Sequence, residues 1–254
     1  MLLLALLAAP GAARAVGCLD ARLWAEILGR HTAEVPDAAG VRVDYAALAV
    51  APSWARLVTS LAACDPERLR RREERLAFWV NAYNVLAIDV VVKHRPVQSI
   101  RDAGSLLRPV WKREAGRIGG RGVSLDEIEH AILRRMDDPR IHAAIVCAST
   151  SCPSLRREPF DPARVDAQLD DALRRFLADP RKGAAFDPAG RRLLLSRIFD
   201  WFEEDFASRG GVLTFLLPHL PDEIRAQIAA HRDGIRIGYF EYDWRLNDLA
   251  RTDP

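Results

Sequence analysis

Two thiols and an imidazole fall within residues 142–152: His142, Cys147 and Cys152. These are the parts of thiol chemistry. A thiolate attacks an acyl carbon once a base or a positive environment lowers its pKa, and an imidazole is the usual base. The surrounding stretch, residues 140–155, reads Arg-Ile-His-Ala-Ala-Ile-Val-Cys-Ala-Ser-Thr-Ser-Cys-Pro-Ser-Leu. Its apolar run from Ile141 to Ala148 lies between Asp138-Pro139 and a Ser/Thr/Cys/Pro segment, which predicts a buried strand feeding a tight loop. Side chains alternate along a strand, so His142 and Cys147 would face opposite sides about 16 Å apart, and His142 could not serve Cys147. Cys152 is freer. Placed before Pro153, it would cap a short helix whose backbone N–H groups favour a thiolate.

Several elements must position these groups. Ser124-Leu-Asp-Glu127 is a capping box that opens a helix running to about Met136. At helical spacing Glu129 falls inside the apolar arc of Leu125, Ile128, Ile132, Leu133 and Met136, whereas Asp126 and Glu127 point away. A carboxylate so placed either pairs with a cation, Arg140 or a His being nearest in sequence, or has a raised pKa suited to proton transfer. His130 sits on the flank of the same helix, where a solvated role is the alternative. A segment from Ser196 to Phe206 predicts another amphipathic helix with Asp205 on its buried face, where it would cap or salt-bridge an Arg. The last strand, Ile235 to Asp243, ends in Asp243-Trp-Arg-Leu-Asn247; Asp243 and Asn247 suit either orienting an imidazole or closing the core.

The scaffold centres on residues 75–94, apolar on all sides and therefore predicted to be a buried central helix. Asn81 and Asn84 share one side of it, and buried amides need partners, either a neighbouring loop or a bound group. Residues 96–122 read as an irregular Arg/Gly-rich segment, long enough to be a cover, with Trp111 as an anchor. The fold class expected is α+β, mainly helical, with a small antiparallel or mixed sheet around the buried central helix.

The 254 residues fit a single sizeable domain. Lys+Arg 37 against Asp+Glu 35 leaves no net field for nucleic acid. Met1 to Ala15 reads as a secretory leader ending in Ala13-Arg14-Ala15, with cleavage as late as residue 17 as a variant. Residues 16–40 then form a helix and linker, and 41–250 one globular domain. An exported, periplasmic or extracellular protein is expected, with no membrane-spanning segment in the mature chain and lipid attachment at Cys18 as an alternative. Cys18, Cys64, Cys147 and Cys152 form an even set with three possible pairings in an oxidising compartment, Cys147 with Cys152 being a plausible local bridge. Internal repeats, phosphate-binding loops, dinucleotide fingerprints, HExxH, GxSxG and CxxC patterns are not found, and no cofactor is indicated.

Six short motifs occur in order: 78–84 (Phe-Trp-Val-Asn-Ala-Tyr-Asn), 125–130 (Leu-Asp-Glu-Ile-Glu-His), 140–142 (Arg-Ile-His), 147–155, 199–201 (Phe-Asp-Trp) and 242–247 (Tyr-Asp-Trp-Arg-Leu-Asn). Together they make the chain resemble, from Val41 to Asn247, the family called domain of unknown function 547. The resemblance implies a bacterial or plant relative, often exported, and supplies no activity.

Three readings follow. The first is a cysteine-dependent hydrolase or acyltransferase acting on amide or thioester bonds of a small molecule or peptide, in a papain-like or transglutaminase-like arrangement. Cys152 or Cys147 would be the nucleophile, His142 or His130 the base, Glu129 or Asp243 the orienter, and Asn81 or a backbone N–H the oxyanion donor, with Asn84, Arg140 and Asn247 in support. Papain-like enzymes place the nucleophilic Cys at the start of the central helix, where this chain has Trp79 and Asn81. The second is a binding or structural module with a Cys147–Cys152 disulfide and a polar network of Glu129, Arg140, His142 and Asp243. The third is zinc held by His130, His142 and the two thiols, a spacing that matches no standard zinc pattern.

Overall fold

The computed structural model describes residues 18–231 and 234–250; the expected leader at residues 1–15 and its cleavage region lie outside these. The fold is α+β and mainly helical, with strands in three small sheets among the described residues. Helix α1 (Ala21–His31) leads into a two-stranded antiparallel pair, β1 (Thr32–Glu34) and β2 (Val41–Val43). Helices α2 (Tyr45–Val50) and α3 (Pro52–Ala62) are separated at Ala51, because Pro52 starts a new helix and disfavours helical backbone before it.

The element that everything else packs on is α4 (Arg72–His94). Its N-terminus is closed by Glu74, whose carboxylate accepts from the backbone N–H groups of Arg70 and Arg71 at 3.1 Å each. At the other end Arg95-Pro96 stops it. By length and composition α4 could cross a bilayer, yet its apolar stretch is almost wholly buried inside the fold. Residues 96–122 are less irregular than expected. They end in an antiparallel hairpin of β3 (Glu114–Ile118) and β4 (Arg121–Ser124), turned by Gly119 and Gly120 at φ 60° and 74°. A two-residue Gly-Gly loop with positive φ at both positions is a strong hairpin signal, so the sequence carried it. Gly116 lets β3 come down on Leu86 of α4, since a Cβ there would collide with that side chain.

The helix after Ser124 forms, but residues 127–133 (Glu127–Leu133) are wound as a π-helix and continue in a 3-10 turn to Met136. The predicted strand at 141–148 does not form. Pro139–Ala143 is a 3-10 helix and the chain then runs irregularly through Ala148, which has φ 62°. The run is buried because it lies on α4, and Asn84 replaces a strand neighbour. The Val146 N–H donates to Asn84 Oδ1 at 2.8 Å, and Asn84 Nδ2 donates to the Ala144 carbonyl at 3.0 Å.

Helix α5 (Val165–Leu177) leads to a three-stranded mixed sheet, in which β5 (Ala184–Asp187) and β6 (Arg192–Leu195) are antiparallel and β7 (Arg236–Tyr239) is parallel to β6. Between β6 and β7 come α6 (Ile198–Trp201), a 3-10 segment (Glu203–Arg209), α7 (Val212–Leu216) and α8 (Asp222–Ala230). The helix expected over 196–206 is therefore split at Phe202. Buried side chains form two clusters, a large one around α4 and a smaller one made by residues 173–220 with Ala143. Tyr242 packs against both. The site lies along their seam.

Candidate functional site

At that seam is a cavity of about 180 Å³. The α4 side contributes Tyr83, the hairpin approach Trp111, the N-cap of the π-helix Asp126 and the π-helix itself Glu129 and His130, and the loop after the 3-10 helix Ile145, Cys147 and Cys152, with His142 from the 3-10 helix itself. The opposite wall comes from the second cluster and the last segment: Ile198, Trp201, Phe202, Tyr242 and Trp244. Trp201 and Trp244 stack with ring centroids 5.6 Å apart, and Tyr242 lies within 4.8 Å of Trp201. Trp111 meets Trp244 at 6.1 Å, so the segment expected to be a cover does reach the cleft.

The strand-parity exclusion of His142 from Cys147 fails with the strand: both line the same cleft. The sulfurs of Cys147 and Cys152 are joined as a disulfide with Cα atoms 6.3 Å apart, and Cys18 is joined to Cys64. Cys152 is not a helix cap, since no helix follows Pro153 until α5. Around the bridge, Tyr242 OH lies 3.2 Å from each sulfur and 2.9 Å from Ser149 Oγ, and the Cys147 N–H donates to the Cys152 sulfur at 3.0 Å. The zinc reading loses both thiolates to the bridge. Among the described residues no group of three His, Cys, Asp or Glu side chains is placed to hold a metal.

Glu129 is half-buried in the cleft wall, and burial pushes its carboxyl up to about 7, against a partial opposing effect of the hydrogen bond from Tyr83 OH at 3.3 Å. Arg140 is not its partner. That guanidinium is bound to Asp138, Asp166 and Asp170 at 2.6 to 2.9 Å, well outside the cleft lining. Asp126, expected to point away, joins the cleft; the π-helix turns wider than the helical spacing on which that expectation rested.

His142 is buried, and its Nε2 meets Asp205 Oδ2 at 2.7 Å. Burial lowers its pKa against the pull of Asp205. Although burial alone would raise Asp205, the bonds from His142 and from Arg134, at 2.6 and 2.7 Å, hold that carboxyl far below the usual range. An ionised carboxylate only accepts, so the neutral imidazole carries its proton on Nε2. Its Nδ1 is buried without a hydrogen-bond partner among the described residues, and its ring stacks on Phe202 at 4.1 Å. Asp205 pairs with an Arg as its buried position predicts, and in addition with a histidine. His130 is exposed, with Nδ1 2.9 Å from Arg134 Nη1.

The remaining candidates are brought elsewhere. Asn81 Nδ2 donates to the carbonyls of Ala77 and Phe160 at 2.8 Å, and its Oδ1 accepts from the Phe160 N–H at 3.0 Å, so it ties a loop and has no place in the cleft. Asp243 is paired with Arg245 at 2.6 Å and is not among the residues lining the cleft. Asn247 closes the core, accepting from Tyr45 OH at 2.6 Å.

Lys182, buried and passed over in the sequence, holds the cysteine loop from behind. Its ammonium donates to the carbonyls of Cys152 (2.7 Å) and Ala39 (3.1 Å) and to Ser154 Oγ (3.2 Å), while burial lowers its pKa to about 8. From the front, the loop is fixed by the last segment: the Thr150 N–H donates to the Arg245 carbonyl at 2.8 Å and the Asp243 N–H to Ser151 Oγ at 2.8 Å. The aromatic wall at 201, 202, 242 and 244 was missed as a site. Its signal was the density of rings around Asp205 and Asp243.

Residues 66–177 match the model of the family described as "Protein of unknown function, DUF547", an uncharacterised domain family. The match contains Tyr83, Glu129, His142, Cys147 and Cys152 but ends before the opposite wall of the cleft. No curated protein and no solved structure matches the chain.

Proposed function

We propose that the protein is an exported module that binds a small ligand in the aromatic cleft, with the Cys147–Cys152 disulfide as a fixed part of the wall. The observation that carries this is convergence: six aromatic side chains and two carboxylates, from elements far apart in the chain, meet in one cavity beside a closed disulfide. A concave, largely apolar pocket with a few polar groups is the usual form of a small-molecule site. Two disulfides among the described residues favour an oxidising compartment. The test is tryptophan fluorescence titrated with a panel of amines, carboxylates, sugars and short peptides. Saturable quenching is expected from one class, weakened roughly tenfold in Trp201→Ala, since removing an aromatic anchor from a binding surface commonly costs that much. A flat response across the panel would sink the reading.

A second reading, a thiol-dependent hydrolase or acyltransferase on amide or thioester bonds, is favoured by the His142–Asp205 pair lining the same cleft. Reduction would free Cys147, the less buried of the two residues, as its nucleophile. Iodoacetamide labelling at acidic pH separates the two. Binding alone predicts no labelling before reduction and slow labelling after it; rapid labelling of Cys147 where ordinary thiols are protonated moves the assignment to the enzyme.

A further inference from the structure

The character of the cleft lining limits what it holds. Among the described residues no Lys or Arg lines the cavity, whereas Asp126 and Glu129 both do. An anion would find no cationic side chain there other than the histidines, and His142 is kept neutral by burial. The walls are ring faces, whose negative quadrupole attracts cations. At the margins these same rings already take them: the Arg101 guanidinium sits 5.1 Å from the Trp244 centroid and that of Arg134 5.3 Å from Phe202. Inside, no arginine among the described residues lies over Trp111, Trp201 or Tyr242.

Resting on the binding reading above, we propose that the ligand is an organic cation, a protonated or quaternary amine on a small apolar body, held between the aromatic walls and the Asp126/Glu129 edge. Size agrees. The cavity of about 180 Å³ compares with the roughly 150 Å³ that accommodates benzene in an engineered core, so one ring or a small alkylammonium fits. Glu129 supplies a second feature, because a carboxyl near neutrality is ionised by an arriving cation. The charged and titratable groups acting on it are Tyr83 from α4, Asp126 and Arg134 from its own helix, and Asp205 from the 3-10 segment. Bound cation therefore adds to the pull of Arg134, and affinity rises as Glu129 ionises.

The experiment uses three probes of one size, 2-phenylethylammonium, 2-phenylethanol and phenylacetate, titrated into the full protein by tryptophan fluorescence and calorimetry at about pH 8, above the Glu129 titration. The ammonium should bind roughly tenfold or more tighter than the alcohol, with phenylacetate weakest. That preference should collapse in Glu129→Gln and all binding should weaken in Trp201→Ala, a half-exposed position whose loss leaves the core intact. Equal or tighter binding of the alcohol or the acid overturns the cation class and leaves the binding cleft standing. An ammonium preference untouched by both substitutions places the probe elsewhere and also overturns it. No saturable binding by any of the three overturns the inference and the binding reading together.

Discussion

On α4, Asn81 and Asn84 are polar groups in the most apolar part of the molecule, and their amides are engaged at both ends, each donating and accepting across to another segment. A short distance away in the fold, Glu129 and His142 are also withdrawn from water, but on different terms. Glu129 has a long bond from Tyr83 and a carboxyl raised toward neutrality; His142 keeps one ring nitrogen with no partner among the described residues. Folding alone explains the first pair. An unsatisfied buried polar group costs about 1 to 3 kcal/mol, so the scaffold's packing does not account for these two as it does for the amides. The two regions thus divide buried polarity into scaffold and site.

The largest effects should come from the scaffold side, from Asn84 and from the Cys18–Cys64 bridge. Asn84→Ala strands the Val146 N–H and the Ala144 carbonyl, both buried, and should lower unfolding free energy by about 2 to 4 kcal/mol in urea denaturation. A change near zero would mean that the loop over α4 finds other partners and that the contrast is false. Next is the disulfide of the cleft. Cys147 and Cys152 are five residues apart, so their cross-link restrains little of the unfolded chain, and the Cys147→Ser/Cys152→Ser double variant should lose about 2 kcal/mol. Removing Cys18–Cys64, which spans 46 residues, should cost about 4 kcal/mol by the same relation. If the short bridge proves the costlier one, it is a folding element and its place in the cleft wall is incidental.

The scaffold was the more legible half in the sequence. Residues 75–94 carry apolar side chains on all faces, which reads as a buried helix, and amides three residues apart on it had to be tied to something. The site was harder, for three physical reasons. The run at 141–148 has strand composition, but its backbone is served by Asn84, a side chain 60 residues upstream, and no local pattern reports that. The helix at Glu129 is π-wound, so a regular wheel put Asp126 on the wrong side while placing Glu129 on the inner one. And Lys182, which fixes the cysteine loop through backbone carbonyls, is chemically indistinguishable in sequence from a solvated lysine. Asp205 shows the opposite case: an acid on an apolar helical face was readable as turned inward and paired, and it is partly buried and paired with Arg134 and His142.

The smallest effect is the one with a sign that separates site from scaffold. Glu129 has an ordinary carboxyl value of 4.5 when unfolded and about 7 when folded, because burial disfavours its charge. Between these values the folded protein binds the extra proton, so stability contributed by the neutral carboxyl is present below about pH 4.5 and is lost as pH rises through about 7. Glu129→Gln cannot ionise. It should match the wild type near pH 4 and exceed it near pH 8, by about 1 to 2 kcal/mol once the solvent contact of a cleft carboxyl is allowed for. Urea midpoints of both proteins at the two pH values give the double difference directly. A scaffold carboxyl would behave in the reverse way, with the variant less stable at high pH. That result would put Glu129 with the asparagines and leave the cleft without its poised acid, whereas a gain confined to high pH identifies a group whose charge the folded protein resists and a ligand can supply a reason to accept.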